Sequence, residues 1–99
     1  MPEILILEFS TEGALDLYKK VSSRMGLDPS TGSGDWPSGQ LSHVTGLDGN
    51  DVIVVETWES KVDQEKFMSN RLGPALQAEN VPPPRRVAWF SEAGSWRRS

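Results

Sequence analysis

The only histidine in the chain, His43, lies in the stretch GQLSHVTGLDGNDVIVVETWES, which also holds Glu56 and Trp58. Histidine is the one side chain whose ordinary pKa lies near neutrality, which makes His43 the first candidate for a general base. A carboxylate beside an imidazole can orient the ring, and a large aromatic can wall a site for a flat ligand. If Asp48-Gly49 forms a two-residue hairpin turn, Leu47 faces Asn50 and His43 faces Val54. Side chains alternate along strands, so His43, Glu56 and Trp58 then share one sheet face. A three-residue turn would put His43 on the other face. On this pattern His43 is the candidate catalytic residue, and Trp58, Glu56 and Phe67 are candidate substrate contacts. The plainer reading stands beside it: a histidine that fills part of the sheet and bonds a backbone carbonyl.

Other chemistry is thinly supplied. Tyr18, Trp36, Phe67 and Trp89 could line a cavity or simply fill the core. Glu8 and Glu56 are unusual on apolar strands; each is either a buried carboxylate that can serve as a base or a strand-end group that reaches water. With no cysteine, disulfides, thiolate catalysis and zinc-thiolate sites are excluded. One histidine among scattered carboxylates assembles no metal cluster, so neither a metal nor a cofactor is expected. STGSG falls between a helix and a strand, the wrong context for a phosphate loop. The net charge of −4 argues against nucleic acid as a partner, and Arg85-Arg86 and Arg97-Arg98 are too short to make a basic patch. MPEILILEF is apolar only briefly and carries Glu3 and Glu8, so neither a signal peptide nor a membrane span is expected. The absence of cysteine fits a cytoplasmic protein.

These residues need elements to position them. A chain of 99 residues is one domain. Hydrophobic residues are 36% of it, bunched into periodic segments. Residues 3–9 read as a strand and residues 12–25 as a helix, capped by Ser10 or Thr11 and stopped by Gly26. Ala14, Leu17, Tyr18, Val21 and Met25 make its apolar stripe. Residues 27–38 are a long loop in which Trp36 packs down. Residues 39–46 and 51–58 form the hairpin. Residues 60–72 form a second helix, opened by Ser60 with Asp63 and turned inward by Val62, Phe67 and Leu72. Gly73-Pro74 should break or kink it, with a short turn over 75–79. VPPP is a stiff connector and residues 85–91 the last strand. The order is β-α-β-β-α-β, an α+β ferredoxin-like fold with an antiparallel four-stranded sheet. The domain spans residues 2–91, and residues 92–99 are a flexible C-terminal tail.

In such a fold the helices cover one sheet face. Here the other face is also apolar: Ile4 and Ile6 oppose Leu5, Leu7 and Phe9, and Ile53 and Val55 oppose Val52, Val54 and Trp58. A patch of that kind marks an interface, and a homodimer packed through its sheet faces is the economical answer.

The strand ending in VVETWES, the helix reaching FMSNRLGPAL and the preceding GQLSHV strand resemble the dimeric α/β-barrel superfamily, within it the antibiotic biosynthesis monooxygenase-like domains of bacteria. The resemblance spans residues 2–91. It implies a pocket between sheet and helices, a flat phenolic or quinol substrate that itself reduces oxygen without metal or flavin, and Trp58 as a pocket wall. Where the quinone-forming oxygenases carry an asparagine four residues before that tryptophan, Val54 stands here. Where the heme-degrading members carry a ligating helix histidine, Met68 stands, and EILILEF lacks their first-strand asparagine, so heme degradation is not implied. The fold alone fixes no reaction. The alternative is a dimeric barrel that binds a small apolar ligand without catalysis, or one with a structural or stress-related role.

Overall fold

The apolar run after Pro2 forms β1 (Glu3–Phe9), the strand that holds the sheet together. It pairs antiparallel with β5 (Asp51–Trp58) on one side and with β6 (Arg86–Ser91) on the other. β4 (Gln40–Asp48) pairs with β5, which gives the order β4-β5-β1-β6. The computed structural model describes residues 1–96 and Arg98. It has the ferredoxin-like arrangement expected from the sequence. One addition is a miniature hairpin of β2 (Leu27–Asp28) and β3 (Ser33–Gly34) inside the 27–38 loop. Among the described residues no helix is long and apolar enough to cross a membrane. β6 ends at Ser91, and Glu92 N–H bonds Pro2 O at 2.8 Å. The expected tail includes Arg97 and Ser99, which lie outside the described residues.

The helices differ from expectation at their ends. α1 (Ala14–Arg24) is capped by Gly13 at φ 71°, not by the side chain of Ser10 or Thr11. Gly26, at φ 74°, ends it as expected, because glycine adopts that conformation at little cost. α2 (Lys61–Phe67) starts at Ser60, whose hydroxyl accepts from Asp63 N–H. It buries Gln64 and Phe67, whereas Val62, expected to point inward, is exposed.

Gly73-Pro74 does not break the helix. The chain widens into a π-turn over Met68–Leu72 and continues as α3 (Gly73–Ala78). Pro74 has no N–H, so an ordinary turn would leave the Asn70 carbonyl unpaired and press the proline ring against it. In the wider turn Gly73 N–H reaches back to Met68 O instead. That approach is close: a Cβ on Gly73 would sit 2.7 Å from the same oxygen.

Register fixes the two sheet faces. Leu5, Leu7 and Phe9 of β1 stand opposite Glu56, Val54 and Val52 of β5 and share the face under the helices. Two buried clusters form there: Leu5, Leu27, Trp58 and Phe67 at one end, and Ala14, Val52 and Val54 at the other, with Leu7 touching both. The outward face carries Ile4, Ile6, Ile53, Val55 and Ala88, and at its edges the exposed Val44 and Phe90. Both faces are therefore apolar, as expected.

Gly→Ala normally stabilises a helix interior by about 0.5–1 kcal/mol. Gly73→Ala should do the opposite, costing about 1–3 kcal/mol as the new methyl is forced onto Met68 O. Urea unfolding of the two proteins gives the sign; a stabilised variant would show that the close approach is not required.

Candidate functional site

The hairpin that carries His43 turns one residue later than expected, which shifts the cross-strand pairing by two. Asp48 pairs with Asp51, so Gly49 and Asn50 are the central residues. Gly49 takes φ 60° while Asn50 keeps a negative φ, the pattern of a type II′ turn rather than I′. A slip of two residues leaves every side chain on its face but changes its opposite number. His43 therefore stands across from Glu56, not Val54. A bulge between Gln40 and Ser42 re-aims the start of β4, so Gln40 pairs with Trp58 and joins the same face.

Glu56 is the hub. Its side chain is only 6% exposed, yet both oxygens are held. Trp58 Nε1–H donates to Oε1 at 3.1 Å. Gln40 Nε2–H donates to Oε2 at 3.1 Å, and His43 Nδ1 lies 2.9 Å from the same oxygen. An ionised carboxylate only accepts, so Nδ1 carries the hydrogen and Nε2 of the neutral ring becomes the acceptor. Tyr18 OH lies 2.6 Å from Nε2 and donates to it. Thr45 Oγ1 in turn donates to the Tyr18 oxygen at 2.6 Å. The chain of bonds runs Thr45, Tyr18, His43, Glu56. Burial pushes the Tyr18 hydroxyl above its ordinary pKa, against the hydrogen bonds from Thr45 and Ser22, so it is neutral at neutral pH.

Tyr18, His43 and Glu56 of this chain form part of the wall of a cavity of about 110 Å³ between the sheet and the helices. The cavity accounts for the split core, because Leu7, the residue common to both clusters, also lines it. The rest of the wall is almost wholly apolar: Leu17, Val54, Phe67, Met68 and Leu72 contribute to it, and the π-turn supplies the last two. Trp36 closes the His43 end, its ring centroid 5.2 Å from the imidazole. Its indole N–H bonds the carbonyls of Gly32 and Ser33, which anchors it to the β2–β3 hairpin. The volume is comparable with the ~150 Å³ apolar cavity known to hold benzene.

Of the residues singled out in the sequence, Tyr18, Trp36, His43, Glu56 and Phe67 line the cavity. Trp58 does not. It is fully buried one layer behind, against Phe67 at 5.8 Å between ring centroids, and reaches the site only through its bond to Glu56. Its place at the end of β5, opposite Glu3 and Gln40, sets it beyond the wall. Trp89 packs on the Leu5–Trp58 cluster, away from the cavity. Glu8 faces outward and is held by Arg85 and Arg86, which keep its carboxyl below the usual range. Gln40 and Thr45 were not singled out. Thr45 could have been found from its alternation with His43, whereas Gln40 depends on a bulge with no sequence signature. Among the described residues no group of three His, Cys, Asp or Glu side chains could hold a metal ion.

No protein-family model matches the sequence, and no curated protein does. Solved structures do. A candidate antibiotic biosynthesis monooxygenase from Chloroflexus aurantiacus superposes with a TM-score of 0.66 at 16% identity, over 98% of each chain. A monooxygenase from the gene ActVA-Orf6 of Streptomyces coelicolor, solved with the ligand nanaomycin D, gives 0.64 at 17% identity, over 98% of this chain and 92% of that one. A dimeric ferredoxin-like protein from an uncultured marine organism gives 0.50 at 15% identity, over 99% and 91%. At these identities the likeness is one of fold.

Tyr18 is the only tyrosine, so alkaline absorbance titration reads it alone. The folded protein should ionise above the ordinary value of about 10, and the denatured protein near it. The folded state holds this proton to higher pH than the unfolded state does. Its stabilising contribution is therefore complete below about pH 10 and is lost as pH rises through the folded value. A folded midpoint at or below that of the denatured chain would contradict the buried hydroxyl.

Proposed function

We propose that this chain, whose fold is that of the antibiotic biosynthesis monooxygenases, is a cofactor-independent oxygenase acting on a small phenolic ring held between sheet and helices. One observation carries the reading: an imidazole held by a buried carboxylate on one nitrogen and a tyrosine hydroxyl on the other, in the wall of an apolar cavity of ring size. A substrate hydroxyl that donates to the Tyr18 oxygen can pass its proton along the chain. Tyr18 gives its own proton to His43 Nε2 as it receives the new one, so the tyrosinate that burial disfavours never accumulates. Glu56 stabilises the imidazolium that results. The phenolate left behind is the better reductant. It donates electrons to dioxygen, one oxygen atom enters the ring and the other leaves as water, and all four electrons come from the substrate. Dry walls protect the intermediates. Phe67 and Trp36 are the aromatic contacts for the ring, and Trp58 and Gln40 position Glu56.

A second reading, a barrel that binds a small ring without turning it over, is favoured by one feature. Both nitrogens of His43 are already engaged within the protein. Oxygen uptake with simple phenols and quinols separates the two. His43→Ala should lower uptake about a hundredfold or more while the ring still binds. Uptake absent in the wild type, with binding intact, would leave the binding reading.

Two copies pair through their outward sheet faces, in keeping with the apolar face of Ile4, Ile6, Ile53 and Val55 and with the likeness to a dimeric protein. Ile53→Lys places a charge on that face and should give a folded monomer by light scattering. Val52→Lys, at a fully buried position, should unfold the chain instead. A wild type that is monomeric at micromolar concentration would refute the pairing.

A further inference from the structure

The cavity and a shallow outer cleft of about 300 Å³, beside Pro29 and Ser42, share three lining residues: Gln40, His43 and Trp36. These three part the two spaces. Gln40 and His43 are fixed to the sheet, since both bond Glu56 and His43 also meets Tyr18. Trp36 is not fixed in this way. Its indole N–H bonds only Gly32 O and Ser33 O, inside its own hairpin. Among the described residues the other hydrogen bonds of residues 28–36 also stay within the β2–β3 hairpin, with one exception. Asp35 O, in the peptide bond that leads into Trp36, accepts from Arg71 Nη1 at 2.6 Å. Arg71 Nη2 donates to Met25 O, at the other root of the hairpin, at 2.9 Å. Leu27 anchors that first root in the core, and Gly39 O, which accepts from Glu59 N–H, fixes the chain beyond the second. Between these anchors Arg71 is the hydrogen-bonded tie.

We propose that Arg71 is a positioning residue of the ring site: by holding Asp35 it keeps Trp36 in the wall, and so limits the site to a single ring. The inference rests on the reading of the cavity as a ring site and adds what sets the size of its ligand. A planar guanidinium suits the task, because its fixed fork reaches two carbonyls at once. Its charge also lies over the Phe67 ring, 5.6 Å from the centroid, so the latch bears on a second aromatic of the cavity wall. The π-turn thus serves the site twice, with Met68 and Leu72 in the wall and Arg71 outside it. When the tie is lost, the hairpin's own bonds let it swing out as a unit that carries Trp36 with it. The cavity then runs into the outer cleft, and a second fused ring finds room beyond His43.

The test reads the latch and the ring size separately. In full-length protein labelled with fluorotryptophan, the fluorine signal of Trp36 is the one missing from Trp36→Phe. Arg71→Met, which keeps a long side chain without the donors, should move that signal towards its position in the denatured chain. The signal of the fully buried Trp58 should stay where it is. The wild type should bind phenol about tenfold or more tightly than naphthol under anaerobic conditions, since a packed wall resists the second ring. In Arg71→Met and in Trp36→Ala that preference should fall to near unity; a general loss of stability does not alter the ratio of two affinities. A Trp36 signal unmoved in Arg71→Met, a preference that survives there, or a wild type that binds both rings equally well would overturn the proposal and leave the ring-site reading standing. A wild type that binds neither ring refutes the ring site and the size limit with it. Should Arg71→Met not fold, Arg71→Lys, which reaches one carbonyl and not both, is read in its place.

Discussion

A buried carboxylate organises this molecule. Removing an ionised Glu56 from water is costly unless its oxygens are satisfied, and an indole, an amide and an imidazole satisfy them. Each of those donors comes from a different structural commitment. Trp58 follows two residues along the same strand, His43 stands across the hairpin, and Gln40 is brought in by the bulge. The requirement to partner one carboxylate therefore ties the hairpin register, the bulge and the position of the largest core side chain together. It also dictates which nitrogen of His43 carries hydrogen, and through that the direction of the bonds to Tyr18 and Thr45.

Much of the fold was legible because it follows from alternation and punctuation. The apolar strands, the turn at Gly49, the cap at Ser60 and the stop at Gly26 are local signals, and the β-α-β-β-α-β order leaves few ways to arrange a sheet. The grouping of His43 and Glu56 was legible for a specific reason: a slip of two residues cannot change a side chain's face. Their direct contact was not, because Asp48-Gly49 and Gly49-Asn50 are both plausible turns and only the whole ladder chooses between them. Trp58 was misplaced in depth. Alternation tells which face a side chain takes, not which layer beneath that face it occupies. Tyr18 sits on a helical stripe that reads as core, and nothing in its spacing marks it as the residue that meets the imidazole.

The site and the core share residues, and this sets the site's character. Leu7, Val54 and Phe67 would close over one another in a fully packed domain of this size; here they stand around a space. Rigid support comes from strands on one side, while the other side is helix and the short β2–β3 hairpin that holds Trp36. The sheet carries the hydrogen-bonded groups and the helical side mostly apolar ones, Tyr18 excepted. Polar precision thus rests on the stiffest part of the molecule and shape on the more adaptable part.

The widened turn at Met68–Leu72 absorbs one residue more than an α-turn holds. Gly73 N–H closes it on Met68 O, the carbonyl on which an α-turn one residue shorter would also close. Ala75 and Leu76 therefore keep the phase of an uninterrupted helix and face the core and the cavity. The added residue alters the cavity wall within the turn, where Met68 and Leu72 stand, and not the path of α3.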